Sequence, residues 1–203
     1  MNEHQEIIPE QKEGVQKHAI ETVEFDSVEN ARNFFRTARQ RLLNVNGWKE
    51  ICEGWSSTFL LRNPHGEPVG YRLPEVGDYF QINIPGPGPQ EGGGRDWVRV
   101  EAVEDSKNIS ADEMTLMRVR PAPSPLNDQD DVAHFLDQES TSTFIVSRLG
   151  NKVTAEVYGN NETANTKTDS LMDKVRNVAT AVGSWLGFSD MQWGRLVKAI
   201  VAQ

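Results

Sequence analysis

Two stretches of alternating apolar and polar residues, Thr141 to Arg148 and Asn151 to Tyr158, meet at Leu149-Gly150-Asn151. Alternation at period two sends successive side chains to opposite faces, so each stretch reads as a half-buried strand. A glycine between them supplies the tight turn that folds one back on the other. A chain built around such a hairpin is committed to an antiparallel sheet. The stretches Ala19 to Phe25, Trp55 to Leu61, Asp78 to Ile84, Asp96 to Val103 and Met114 to Arg120 carry strand patterns of the same kind, and Val69 to Leu73 adds a short candidate. Turn-forming residues separate them, among them Asn63-Pro64-His65-Gly66 and the Pro/Gly-rich run 85–95.

Helical periodicity brackets this β region. Asp26-Ser27 offers an N-cap with Glu29 three residues after Asp26, and Val28, Ala31, Phe35, Ala38, Leu42 and Val45 follow at three- and four-residue steps. Asn46-Gly47 ends that helix, and Trp48 to Cys52 adds a short one. Near the C-terminus Leu171, Val175, Val178, Val182 and Leu186 repeat at helical spacing, and Leu196, Val197, Ile200 and Val201 continue an apolar face after Gly187. Residues 1–18 are polar and aperiodic and read as a disordered tail, leaving 19–203 as a single α+β domain.

Charge and composition narrow the function. Thirty acidic residues against 21 basic ones give a net charge of -9. That field repels phosphate backbones and anionic membrane surfaces, so neither nucleic-acid binding nor membrane insertion is expected. Arg32, Arg36, Arg39 and Arg41 fall mostly off the apolar stripe of the first long helix and read as a solvated face. The single cysteine, Cys52, allows no internal disulfide, and Met1 to Ile20 contain no apolar leader, so a cytoplasmic location is expected.

Motifs for chemistry are absent where they would be diagnostic. Gly86, Gly88, Gly92, Gly93 and Gly94 match neither a dinucleotide nor a P-loop spacing, and they lead into a strand rather than a helix N-terminus. The acidic run Asp128, Asp130, Asp131 fails as a calcium loop because Ala133 stands at the glycine position. His65 and His134 lack metal-site spacing, and Cys52 reads as a small buried apolar residue. No catalytic residue, metal ligand or cofactor is assigned.

The order of elements, strand Ala19–Phe25, helix Val28–Val45 with its short follower, strands from Ser56 to Tyr158 and a helix from Leu171, resembles the helix-grip fold of the START and Bet v1-like superfamily. This implies an α+β fold in which an antiparallel curved sheet of about six to seven strands grips a long C-terminal helix. It also implies an apolar cavity between sheet and helix for a lipid-like or aromatic small molecule. The chain departs from the pattern in the break at Gly187-Phe188-Ser189 and in the acidic segment 121–133.

Three readings of function follow. In the first, the aromatic residues leave a cavity of roughly 300–1,000 Å³ that binds an apolar small molecule, with Phe80, Trp97, Phe144 and Val178 as its lining. In the second, those aromatics form an ordinary solid core, and Trp185 to Val201 is a docking face for a partner or for a homodimer. The third is an enzyme with a buried acid/base group, for which the sequence nominates no residue.

Overall fold

The computed structural model describes residues 7–84, 92–107, 112–128, 130–165 and 191–203. Its elements are β1 (Val15–Glu24), α1 (Val28–Leu43), a 3-10 turn (Val45–Gly47), α2 (Trp48–Ile51), β2 (Thr58–Arg62), β3 (Tyr79–Asn83), β4 (Asp96–Lys107), β5 (Glu113–Pro121), β6 (Thr141–Leu149) and β7 (Lys152–Glu162), followed by a C-terminal helix at 191–200. The seven strands form one antiparallel sheet in the order β1-β7-β6-β5-β4-β3-β2. The fold is therefore α+β, a curved antiparallel sheet with a C-terminal helix. The connectivity accounts for that order: each hairpin from β2 to β7 lays a strand beside its predecessor, and β1 closes onto the last one. This arrangement is compatible with a helix-grip fold. The helix expected from Leu171 to Leu186 lies outside the described residues.

Local sequence accounts for the boundaries. Gly150 adopts a left-handed conformation (φ 59°) at the β6–β7 turn, which a side chain would strain. Ser27 caps α1 by accepting the Asn30 N–H at 3.1 Å, and the buried stripe runs Ala31, Phe35, Ala38, Leu42 and Leu43. The stretch Val69 to Leu73 forms no strand. Only Pro68 bridges to Arg62, and Arg72 turns the chain by gripping the buried Asp78 through two hydrogen bonds of 2.6 and 2.8 Å.

The alternation sorts the side chains into two layers. On the concave face, Val153, Ala155 and Val157 of β7, Phe144 and Val146 of β6, Met117 and Val119 of β5 and Phe80 of β3 join α1 and the C-terminal helix in the main core. Trp48 stands at its centre, fully buried, with ring centroids 5.2 Å from Phe144, 5.3 Å from Phe59 and 5.9 Å from Phe80. Its indole N–H donates to the Leu42 carbonyl at 3.0 Å, so the one polar atom of the ring is satisfied. On the convex face a smaller cluster, Ala102, Leu116, Ile145 and Tyr158, is covered by Ile7 and Ile8.

That cover changes the reading of the N-terminus. The strand expected from Ala19 starts at Val15, and the residues before it are tied down by Asn161. The Asn161 side chain accepts the N–H groups of Lys12 and Glu13 and donates to the Glu10 carbonyl, while its own N–H donates to Gln11 Oε1. Asn161 holds this position in a left-handed conformation (φ 55°), which asparagine tolerates better than most side chains. Short-range polarity in residues 7–18 gave no sign of partners almost 150 positions away.

The arginine face also has in-chain partners. Arg39 makes two hydrogen bonds to Asp105, at 2.9 and 2.7 Å. Arg41 donates to the carbonyls of Ala199, Ile200 and Ala202, satisfying the free C-terminal end of the last helix. Arg32 lies 3.9 Å from Glu113, and Arg36 is exposed.

Candidate functional site

The concave layer does not close completely. Between β2–β6 and the C-terminal helix lies a cavity of about 60 Å³. Phe59, Phe80, Val98 and Val119 form its apolar floor, with Phe144 beside them.

 The floor is apolar because these positions share one face of the pleat: Phe80 pairs with Val98, and Met117 with Phe144. Trp193 of the C-terminal helix, half-buried, covers it, with its ring centroid 5.2 Å from Phe144 and 6.2 Å from Phe59.

One end of the cavity is polar. A strap at 132–137 crosses the end of the sheet and contributes His134, Phe135 and Leu136 to the wall. Backbone bonds fix it: Trp97 N–H donates to the Ala133 carbonyl at 2.8 Å, Asn165 N–H to Phe135 at 2.9 Å, and Asp137 N–H to Thr163 at 2.9 Å. The Asn165 side chain adds bonds to the carbonyls of Val132 and His134, both at 3.1 Å. Ser140, Thr141, Ser142, Gln192 and Glu162 complete this end.

Glu162 owes its place to a glycine. A Cβ on Gly159 would collide with Glu162 Oε1, so the carboxylate fills the space that a side chain on β7 would take. Gly159 pairs with Lys17 of β1 and with Ser142 of β6. Lys17 Nζ lies 3.4 Å from Glu162 Oε2, and both side chains are almost fully buried. Desolvating either charge alone would be costly, so each holds the other in place.

Two buried groups here favour their neutral forms. Burial pushes the His134 imidazole down to about 3. Burial likewise raises the Asp96 carboxyl to about 7, and the Phe135 N–H, donating to Asp96 Oδ1 at 3.0 Å, offsets only part of that. Cys52 is pushed up to about 11 by burial, with the positive charge of Arg195 acting in the opposite direction, so it is no activated nucleophile. Among the described residues no group of three or more His, Cys, Asp or Glu is placed to hold a metal ion.

The structure brings together two of the four residues read as a lining. Phe80 and Phe144 face the cavity. Trp97 does not: it pairs with Gln81, one position out of step with the Phe80–Val98 pair, and so points to the opposite side of the sheet. There its indole N–H is 3.4 Å from the Gly92 carbonyl, and its ring stands 6.4 Å from Tyr79. Val178 lies outside the described residues. The cavity volume also falls well below the 300–1,000 Å³ expected, because Trp48, Phe59, Phe144 and Trp193 fill most of the space beneath the helices. His134, Glu162 and Gln192 escaped the sequence reading. The interruption of β7 by Gly159-Asn160-Asn161 was the available signal, since glycine and asparagine inside a strand mark a bulge or a close approach.

The scaffold reading used Trp185 to Val201 as an outward face. In the described part, Leu196, Val197, Ile200 and Val201 are buried in the core, and Met191 is the exposed large apolar residue. No helix among the described residues is long and apolar enough to cross a membrane.

No family model and no curated protein matches the chain. Among solved structures it is similar to a hypothetical protein of Helicobacter pylori, with 14% identity over 92% of this chain and 86% of that one and a TM-score of 0.45. It is similar also to a truncated norcoclaurine synthase of Thalictrum flavum, with 11% identity over 96% of this chain and 99% of that one and a TM-score of 0.37. A third is a protein of Arthrobacter aurescens, with 13% identity over 92% of this chain and 87% of that one and a TM-score of 0.36.

Proposed function

We propose that the protein is a non-catalytic binder of an apolar small molecule, held between the sheet and the C-terminal helix. One observation carries this reading: the cavity has aromatic walls, and among the described residues the ring that covers it, Trp193, is only half-buried. At about 60 Å³ the cavity holds a water or two and no ring compound. A ligand of ring size therefore enters by displacing the Trp193 indole, a rotamer change at the surface that leaves Leu196, Val197 and Ile200 seated.

The test is titration of the full chain with toluene, followed by tryptophan fluorescence and ligand-observed NMR. Saturable binding with a change in indole emission is expected. Val119→Phe, which fills the floor, should weaken that binding at least tenfold while unfolding stays cooperative. A solid core would behave otherwise: no toluene bound by the parent chain, and a loss of about 1–3 kcal/mol in the variant from overpacking.

A further inference from the structure

The polar end of the cavity specifies more than an apolar ligand, provided that the cavity reading holds. His134 and Gln192 have fixed hydrogen-bonding roles there, beside the hydroxyls of Ser140, Thr141 and Ser142, which can donate or accept. His134 Nδ1 accepts the Leu136 N–H at 2.9 Å, so that nitrogen carries no proton. The neutral ring must then bear its proton on Nε2, which makes it a donor. Gln192 is fixed in the opposite sense: its amide nitrogen donates to Ser57 Oγ at 2.9 Å, which leaves its carbonyl oxygen to accept. Glu162 is the one carboxylate among the described lining residues, no lysine or arginine is among them, and its own counter-charge comes from Lys17 behind it.

A wall with a fixed donor, a fixed neutral acceptor, adaptable hydroxyls and a carboxylate suits a group that both gives and takes a hydrogen bond. A hydroxyl does this. A carboxylate only accepts, and it would enter a desolvated site already holding Glu162, where like charges repel strongly. A bare hydrocarbon would make no hydrogen bond to the His134 donor or to the Gln192 carbonyl. The aromatic floor favours a flat ring over a branched chain. We propose that the site takes an uncharged, hydroxyl-bearing ring compound of the phenol class and rejects aryl carboxylates.

The experiment compares three probes of equal ring size on the full chain, p-cresol, toluene and benzoate, by ligand-observed NMR at pH 7.5. The expected ranking is p-cresol at least tenfold tighter than toluene, with benzoate unbound at millimolar concentration. In a second arm, Glu162→Gln removes the like charge from the wall, and benzoate should then bind. Benzoate binding the parent chain as tightly as p-cresol, or p-cresol binding no tighter than toluene, would overturn the proposal while leaving the cavity reading intact. A folded Glu162→Gln protein that still rejects benzoate would also overturn it. Failure of both toluene and p-cresol to bind removes the cavity reading and this inference together. Should the variant not fold, the ranking on the parent chain decides alone.

Discussion

The two faces of the sheet carry the same alternating strands and yet are stabilised in different ways. The concave face buries a continuous apolar cluster in which Trp48 touches residues from three strands. The convex face has a smaller apolar cluster, four buried side chains among the described residues, and leans on polar ties beside it: Glu156 bonded to Tyr158 and His18, Arg118 and Arg120 paired with Glu101, and the N-terminal segment clamped by Asn161. Apolar packing is non-directional and tolerates a small void, which the concave face has. Hydrogen bonds are directional, so the convex cover depends on a few specific atoms.

The sharpest way to break this contrast is Trp48→Ala. Removing a fully buried indole should cost about 3–5 kcal/mol, read as a fall in the denaturation midpoint. A loss below 1 kcal/mol would show that the aromatic centre is not what holds the concave layer.

The cavity end gives the next effect, through pH. Asp96 has a raised carboxyl, at about 7, so the folded state binds its proton more tightly than the unfolded chain does, and its contribution to stability grows as pH falls from 7 towards 4. His134, lowered to about 3, acts in reverse: its contribution is full above the unfolded value near 6.5 and declines as pH falls towards 3. Between about pH 4 and 6.5 the two slopes oppose each other. Asp96→Asn keeps an acceptor for the Phe135 N–H and removes one slope, so the variant should lose stability relative to the parent on acidification, by up to about 1.4 kcal/mol per pH unit. Parallel pH profiles for the two proteins would contradict this assignment.

On the convex face, Asn161→Ala should cost about 1–3 kcal/mol, from the loss of the clamp and from a left-handed backbone that alanine resists. Limited proteolysis should then cut near residues 10–13 first. An unchanged cleavage pattern would mean that the N-terminal cover is held by Ile7 and Ile8 alone. The smallest effect belongs to Ile20→Thr on the edge strand. Ile20 is 53% exposed, and its replacement should shift stability by less than about 0.5 kcal/mol.

Much of the architecture was legible because it rests on local pattern. The hairpin at Gly150, the stripe from Ala31 to Leu42 and the alternation in β4 and β7 each sit within a window of a few residues, where periodicity reports burial directly. The candidate site was half legible. Phe80 and Phe144 could be placed in strands, but Trp97 was assigned to the wrong face, because period two means that one position out of step reverses every side chain.

The sequence by itself determined the antiparallel sheet, the capped helix α1 and the absence of any preset metal or nucleotide motif. Only the tertiary structure decided which face each aromatic takes, how nearly Trp48 and Trp193 fill the cavity, and what the polar residues do. Lys17 meets Glu162, Asn161 meets Glu10, and Arg41 meets the end of the last helix across separations of about 145 to 161 residues. Such pairs leave no periodic trace, because each partner looks like an ordinary solvated residue until the chain closes and removes the water around both.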